Sequence, residues 1–316
     1  MSPDVMLNRR AFILSQTAML WSAEKSLKAA ESPNAPIDVI DCHTHFYDPS
    51  RPQGVPWPSK SSALYRTVLP ADLRSLRKFQ PLRGTVIVEA SQWIEDNDWL
   101  LELAESDPFV VGIVGRLPLG TEEFKGHLKK YSTHPKYRGI RMSAANVAAV
   151  LETGFLNDFE SLSDHDRSLD INGNFESLNV AAALAKRVPS LRIIVNHIGN
   201  VKINESVPPQ EWQTAVRNAS QHENVFCKIS GLVEGAALNG GKAPESLSVY
   251  EPYLDVVWNA FGDRRVIYGS NWPVSESAAE YETLQRIAMR YAAAKGNESA
   301  RRFCSVNAKT AYKWVG

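Results

Sequence analysis

The segment Ile37-Asp38-Val39-Ile40-Asp41-Cys42-His43-Thr44-His45 ends an apolar, β-branched run in two histidines spaced i, i+2. In an extended chain that spacing aims both imidazoles at one side. Two imidazoles on one face of a strand end can hold a divalent metal ion or polarise a carbonyl. Taken alone, an HxH is more often a buried strand whose histidines meet backbone partners, so the weight falls on what accompanies it. Seven further groups capable of chemistry stand at or just past the ends of other apolar runs: Glu89, Arg116, Arg141, Asn172, His197, Lys228 and Asn271. A carboxylate or an imidazole can move protons, while guanidinium and ammonium groups can hold an oxyanion or a carboxylate.

Such groups need a scaffold that brings strand ends together. Short apolar runs alternate with longer amphipathic stretches, the habit of parallel βα units. The runs predict strands at 37–41, 85–89, 110–114, 139–142, 169–171, 191–196, 225–229 and 266–268. Eight such units suit an α/β fold of one (β/α)8 TIM barrel, usually ~250 residues plus insertions. In that fold catalytic groups come from the C-terminal ends of the strands. The Pro-rich loop from Pro49 to Pro58 is then expected in the wall of the site. Asp41 shares alternation parity with His43 and His45 and is expected beneath them, orienting an imidazole. Trp57 and Trp272 either stack on a ligand or pack the barrel mouth.

Composition narrows the function. The 316 residues are 44% hydrophobic and 22% charged, and 35 basic residues balance 35 acidic ones. With no basic stripe to neutralise phosphates, a nucleic-acid or anionic-membrane partner is not expected. A small-molecule substrate fits better, and assembly into a homo-oligomer is left open. Cys42, Cys227 and Cys304 lack CxxC spacing and are expected to be core thiols. Near the N-terminus, Asn8-Arg9-Arg10 precedes an apolar segment to about Trp21, an arrangement that resembles a bacterial twin-arginine export signal. It is far shorter than the ~20 residues of a membrane span. Residues 1–35 are therefore set apart as leader and linker, with the barrel at 36–316; a periplasmic or exported location is expected, with the cytoplasm as the alternative.

From Ile37 to Trp314 the chain resembles the amidohydrolase superfamily, in particular the amidohydrolase-2 group of metal-dependent TIM-barrel hydrolases that includes sugar lactonases and 2-pyrone-4,6-dicarboxylate lactonase. The resemblance rests on the order of DCHTHFYDP, GTVIVEA, Gly139-Ile140-Arg141, NHIGN around His197, CKISGL from Cys227 and YGSNWP from Tyr268. It implies hydrolysis of a small carbohydrate-derived or carboxylated lactone. It further implies a metal site at His43, His45 and His197 for one divalent ion, zinc being first choice, with a metal-free site as the alternative. Arg141, Lys228, Arg116 and Trp272 would bind substrate.

One departure qualifies the transfer. Where this family usually carries GSDWP, whose aspartate is general base and metal ligand, the chain has Gly269-Ser270-Asn271-Trp272-Pro273. An amide cannot carry a proton away from attacking water at neutral pH. Asn200 and Val201 likewise replace the lysine and proline usual after the histidine segment's glycine. Catalysis is then assigned to Asn271, His197 and Glu89, with Glu89 the first candidate base and His197 the second. Two alternatives stand beside the lactonase: a ligand-binding barrel that has lost hydrolysis, and a metal-dependent decarboxylase of the same superfamily.

Overall fold

The computed structural model describes residues 37–204, 207–237 and 241–314. The leader and the twin-arginine-like segment lie outside the described residues. Eight parallel strands follow one another around a sheet in chain order: β1 (Val39–Thr44), β2 (Leu82–Val88), β3 (Val110–Gly115), β4 (Tyr137–Ser143), β5 (Ser168–Asn172), β6 (Ile193–Val195), β7 (Val225–Ile229) and β8 (Val266–Tyr268). The last strand returns to the first. Asn271 N donates to His43 O at 2.8 Å and His45 N to Trp272 O at 2.9 Å, so the residues after β8 close the barrel against β1. All eight expected strands are present. β1 runs later than expected, and β6 is shorter.

Twelve helices among the described residues intervene or follow: α1 (Pro70–Ser75), α2 (Asp96–Ser106), α3 (Phe124–Ser132), α4 (Ala144–Thr153), α5 (Leu156–Asp164), α6 (Glu176–Arg187), α7 (Gln210–Ser220), α8 (Leu232–Ala236), α9 (Glu251–Phe261), α10 (Tyr281–Ala294), α11 (Asn297–Arg301) and α12 (Asn307–Tyr312). Their apolar residues recur at helical spacing. α7 buries Trp212, Ala215, Val216 and Ala219, while α10 buries Leu284, Ile287, Ala288 and Tyr291. Local signals set boundaries: the Ser143 side chain accepts from Asn146 N at the start of α4, and Gly154 ends that helix with a φ of 87°.

The core has two parts. Outside the barrel, Val39, Ile87, Ile113, Ile140, Leu169, Ile193 and Val225 pack against the helices. Inside it, Ile40, Cys42, Val86, Val88, Val114, Ile194, Phe226 and Ile267 meet, and Ala308, Ala311, Tyr312 and Trp314 close the floor below them. Burial on both sheet faces explains why the strands read as continuous apolar runs. Each large apolar side chain so buried stabilises the fold by about 1.5–3 kcal/mol. The three cysteines are buried and free, as expected of core thiols.

A bulge in β1 decides which side chains enter the barrel. Asp41 pairs with Thr85 and Thr44 with Ile87, three steps on β1 against two on β2. Alternation therefore breaks between them. Asp41 turns outward, where its Oδ2 accepts from Tyr281 of α10 at 2.9 Å. His43 and His45 turn inward. The expectation that Asp41 shares their face and orients an imidazole is corrected: its Oδ1 accepts from His43 N at 3.2 Å and Ser270 N at 2.8 Å, pinning β1 to the chain after β8.

Candidate active site

At the C-terminal ends of the strands lies a cavity of about 410 Å³, lined by His45, Pro56, Trp57, Glu89, Ala90, Gln92, Arg116, Arg141, Asn172, His197, Asn200, Asn271 and Val274. The loop after β1 contributes Pro56 and Trp57 to its wall. His45, Glu89, Arg116, Arg141, His197 and Asn271 thus converge from six strand ends. Two expected substrate contacts do not line it. Trp272 is fully buried and its Nε1 donates to Glu276 Oε1 at 2.7 Å, because the turn after β8 points its indole away from the opening. Lys228 lies deeper in the barrel, where its Nζ donates to Asp170 Oδ2 at 2.7 Å and to His43 Nδ1 at 3.3 Å. Below that pair, the Tyr312 hydroxyl reaches both Asp170 oxygens at 3.1 and 3.0 Å.

The histidines sit together because the backbone is forced close. His43 lies with its ring centroid 5.0 Å from that of His45 and 4.3 Å from that of His197. His197 has a φ of 55°, and Ile198 and Asn200 follow at 48° each, a left-handed run rare outside glycine. It is held by Trp212 Nε1, which donates to Ile198 O at 2.7 Å. Gly231, at a φ of 66°, is the neighbour that admits it, since a Cβ there would lie 2.8 Å from His197 Cβ. Gly269 does the same for His43, whose Cβ would be 2.8 Å away.

Electrostatics keep all three imidazoles neutral. Burial, then the charge of Arg141, pushes His45 down to about 3. Burial first, then the neighbouring His197 and Lys228, pushes His43 well below the ordinary histidine range, and burial followed by the charges of Lys228 and Arg141 does the same to His197. Hydrogen bonds then fix two tautomers. A carbonyl only accepts, so His45 Nδ1 donates to Val88 O at 2.9 Å and the ring's lone pair lies on Nε2. An ammonium only donates, so His43 Nδ1 accepts from Lys228 and its Nε2 carries the proton. That Nε2 is buried without a partner. His197 Nδ1 is anchored 2.8 Å from Ser230 Oγ.

This donor set does not fit the divalent ion that the sequence resemblance implies. His43 presents an N–H rather than a lone pair, Lys228 and Arg141 already place positive charge beside the rings, and an amide stands where a carboxylate would be needed. Among the described residues, no group of three or more His, Cys, Asp or Glu side chains is arranged to hold a metal.

Glu89 is held by a guanidinium: Arg141 Nε donates to its Oε1 at 2.9 Å. This ion pair fixes Arg141 at the cavity wall. Arg116 has no side-chain partner among the described residues; only its backbone is held, by Asn97. The arrangement also contains a residue that motif reading passed over. Asn271 Nδ2 donates to Glu234 Oε1 at 2.7 Å while its Oδ1 lies 3.2 Å from His45 Nε2. Burial pushes the Glu234 carboxyl up to about 7. Glu234 lies just past the CKISGL strand in an amphipathic stretch, and only an acid on that otherwise apolar turn could have marked it.

Residues 40–314 match the model of the amidohydrolase family Amidohydro_2. A curated relative, L-fucono-1,5-lactonase of Burkholderia ambifaria, is 33% identical over 250 residues, covering 77% of this chain and 82% of its own. A second L-fucono-1,5-lactonase, from Burkholderia multivorans, is 28% identical over 262 residues, covering 80% of this chain and 88% of its own. Crystal structures of an amidohydrolase from Burkholderia multivorans, one with bound HEPES and one with bound zinc, superpose with a TM-score of 0.79 at 26% identity, covering 88% of this chain and 100% of theirs. A match that begins inside β1 and ends at the barrel floor takes in every strand end around the cavity, and the chain belongs to the amidohydrolase family as a hydrolase.

Proposed function

We propose that this hydrolase opens a small, hydroxylated, carbohydrate-derived lactone by water attack in the cavity above His45. The observation that carries the reading is the presence, in one cavity, of a neutral imidazole lone pair at His45 Nε2 and the guanidinium groups of Arg116 and Arg141. Gln92, Asn172 and Asn200 add amides suited to ring hydroxyls, and Trp57 supplies an apolar face. The similarity to two L-fucono-1,5-lactonases supports the same substrate class.

In this mechanism water attacks the lactone carbonyl carbon as His45 Nε2 takes its proton. The carbonyl oxygen becomes an oxyanion facing Arg141, which Glu89 holds in place, and Arg116. Collapse breaks the ring C–O bond, and the His45 imidazolium returns its proton to the departing alkoxide, giving a hydroxy acid. His43, beneath the cavity, packs against both cavity histidines and fixes their positions. No step calls on a metal.

The test is acid release, followed with a pH indicator, from a panel of aldono-1,5-lactones including L-fucono-1,5-lactone, with a pyrone dicarboxylate alongside. Turnover of neutral hydroxylated lactones well above that of the dicarboxylate is expected. Preference for the dicarboxylate would refute the substrate class. Tight lactone binding without turnover would refute hydrolysis.

A further inference from the structure

Asn271 bridges two groups whose proton states its amide must match. One end is 3.2 Å from His45 Nε2, a lone pair because Nδ1 donates to Val88, and the other is 2.7 Å from Glu234 Oε1. An amide has one donating and one accepting end, so only two arrangements satisfy it. With its NH2 toward His45, its oxygen faces Glu234, which must then be a carboxylic acid that donates. The His45 lone pair is occupied and cannot take a proton. With its NH2 toward Glu234, which is then a carboxylate, Asn271 Oδ1 and His45 Nε2 stand side by side as two acceptors at the cavity surface. A single water can donate one hydrogen to each. When His45 accepts the proton, its new Nε2–H donates to Oδ1, and the carboxylate beyond compensates the charge.

We propose that Glu234 is a positioning residue for catalysis, which through the orientation of Asn271 decides whether His45 is free to act as base. The inference rests on the lactonase reading, and the arrangement supplies through two residues what an aspartate at position 271 would supply alone. Glu234 is well isolated for the task. Its Oε2 is buried without a partner, and it does not line the cavity. The other groups facing it are few. Tyr250, before α9, spends its hydroxyl on Pro244 O at 2.7 Å. Glu276, in the short helix packed against α8, is ion-paired with Arg66 at 2.6 Å. Burial places the carboxyl's titration at about 7, so the free-base arrangement is present above that pH and lost as pH falls through it.

The experiment uses the full chain with 15N-labelled histidine. The His45 Nε2 resonance is followed across the neutral range for wild type, Glu234→Gln and Asn271→Gly, the last chosen because glycine tolerates the φ of 61° at that site. In wild type the resonance should titrate with a midpoint near 7, and kcat on a turned-over lactone should fall about tenfold per pH unit below it. In both variants the His45 resonance should lose that midpoint, and Glu234→Gln should lose the acid limb of kcat with KM within about twofold. A midpoint shared by wild type and Glu234→Gln would overturn the inference. Because the resonance needs no substrate, failure of every lactone would sink the proposed function without deciding this one.

Discussion

Replacing Lys228 by methionine should destabilise the barrel severely, and replacing its partner as well should restore most of the loss. The ammonium and the Asp170 carboxylate are both wholly inaccessible and 2.7 Å apart. Removing one member of such a pair strands the other charge in a low-dielectric interior, typically at a cost of about 3–5 kcal/mol. At roughly 2–4 °C per kcal/mol for a large domain, Lys228→Met should lower Tm by about 6–20 °C. Lys228→Met with Asp170→Asn leaves no stranded charge, and Tyr312 still donates to the new amide oxygen; that variant should recover more than half of the loss. Thermal and urea unfolding of the three proteins, followed by circular dichroism, measures both differences. If Lys228→Met unfolds with wild type, or if the double variant is no more stable than the single one, the interior pair is not held as argued.

Four further outcomes are expected. His45→Gln should reduce kcat by about 10²–10⁴-fold in a steady-state lactone assay while leaving Tm nearly unchanged, as loss of a general base does. Arg141→Met should cost about 10²–10³ in kcat, and adding Glu89→Gln should recover stability but not rate. Gly231→Ala should be destabilising and slow, because its methyl would stand 2.8 Å from His197 Cβ at a φ of 66°, and a crystal structure should show His197 displaced. On acidification, His45 binds a proton in the unfolded chain below about 6.5 but in the folded protein only near 3. Its contribution to stability is thus fully present above 6.5 and falls by about 1.4 kcal/mol per pH unit as pH drops toward 3, a slope that urea titrations at successive pH values can read and that His45→Gln should remove.

The barrel was legible because its strands are buried on both faces, so each reads as an apolar run whose end marks a place in the site. Glu89, Arg116, Arg141, His197 and Asn271 follow from that rule, and the cavity gathers them. The rule misled where local geometry overrode period two. Counting by alternation puts Asp41 beneath the histidines, but one extra residue in β1 sends it outward to Tyr281. Lys228 sits on the inward face of β7 but deeper than the residues that line the cavity, since depth along a strand depends on barrel stagger rather than on order. Trp272 is turned aside by the backbone of the closing segment. Glu234 was not legible, because its meaning comes from a contact with Asn271 across 37 positions of chain and not from any motif.

The floor of the barrel ties the last residues of the chain to its chemistry. Tyr312 lies beneath the interior with its hydroxyl on Asp170, which holds Lys228, which holds His43. Arg138 and Arg192 clasp the same stretch by donating to Tyr312 O and Ala311 O at 2.6 and 2.7 Å. The hydrogen-bond column therefore runs from the underside of the barrel to the imidazole beneath the cavity, and a substitution in α12, far from any ligand, would be felt at the histidines through Asp170 and Lys228.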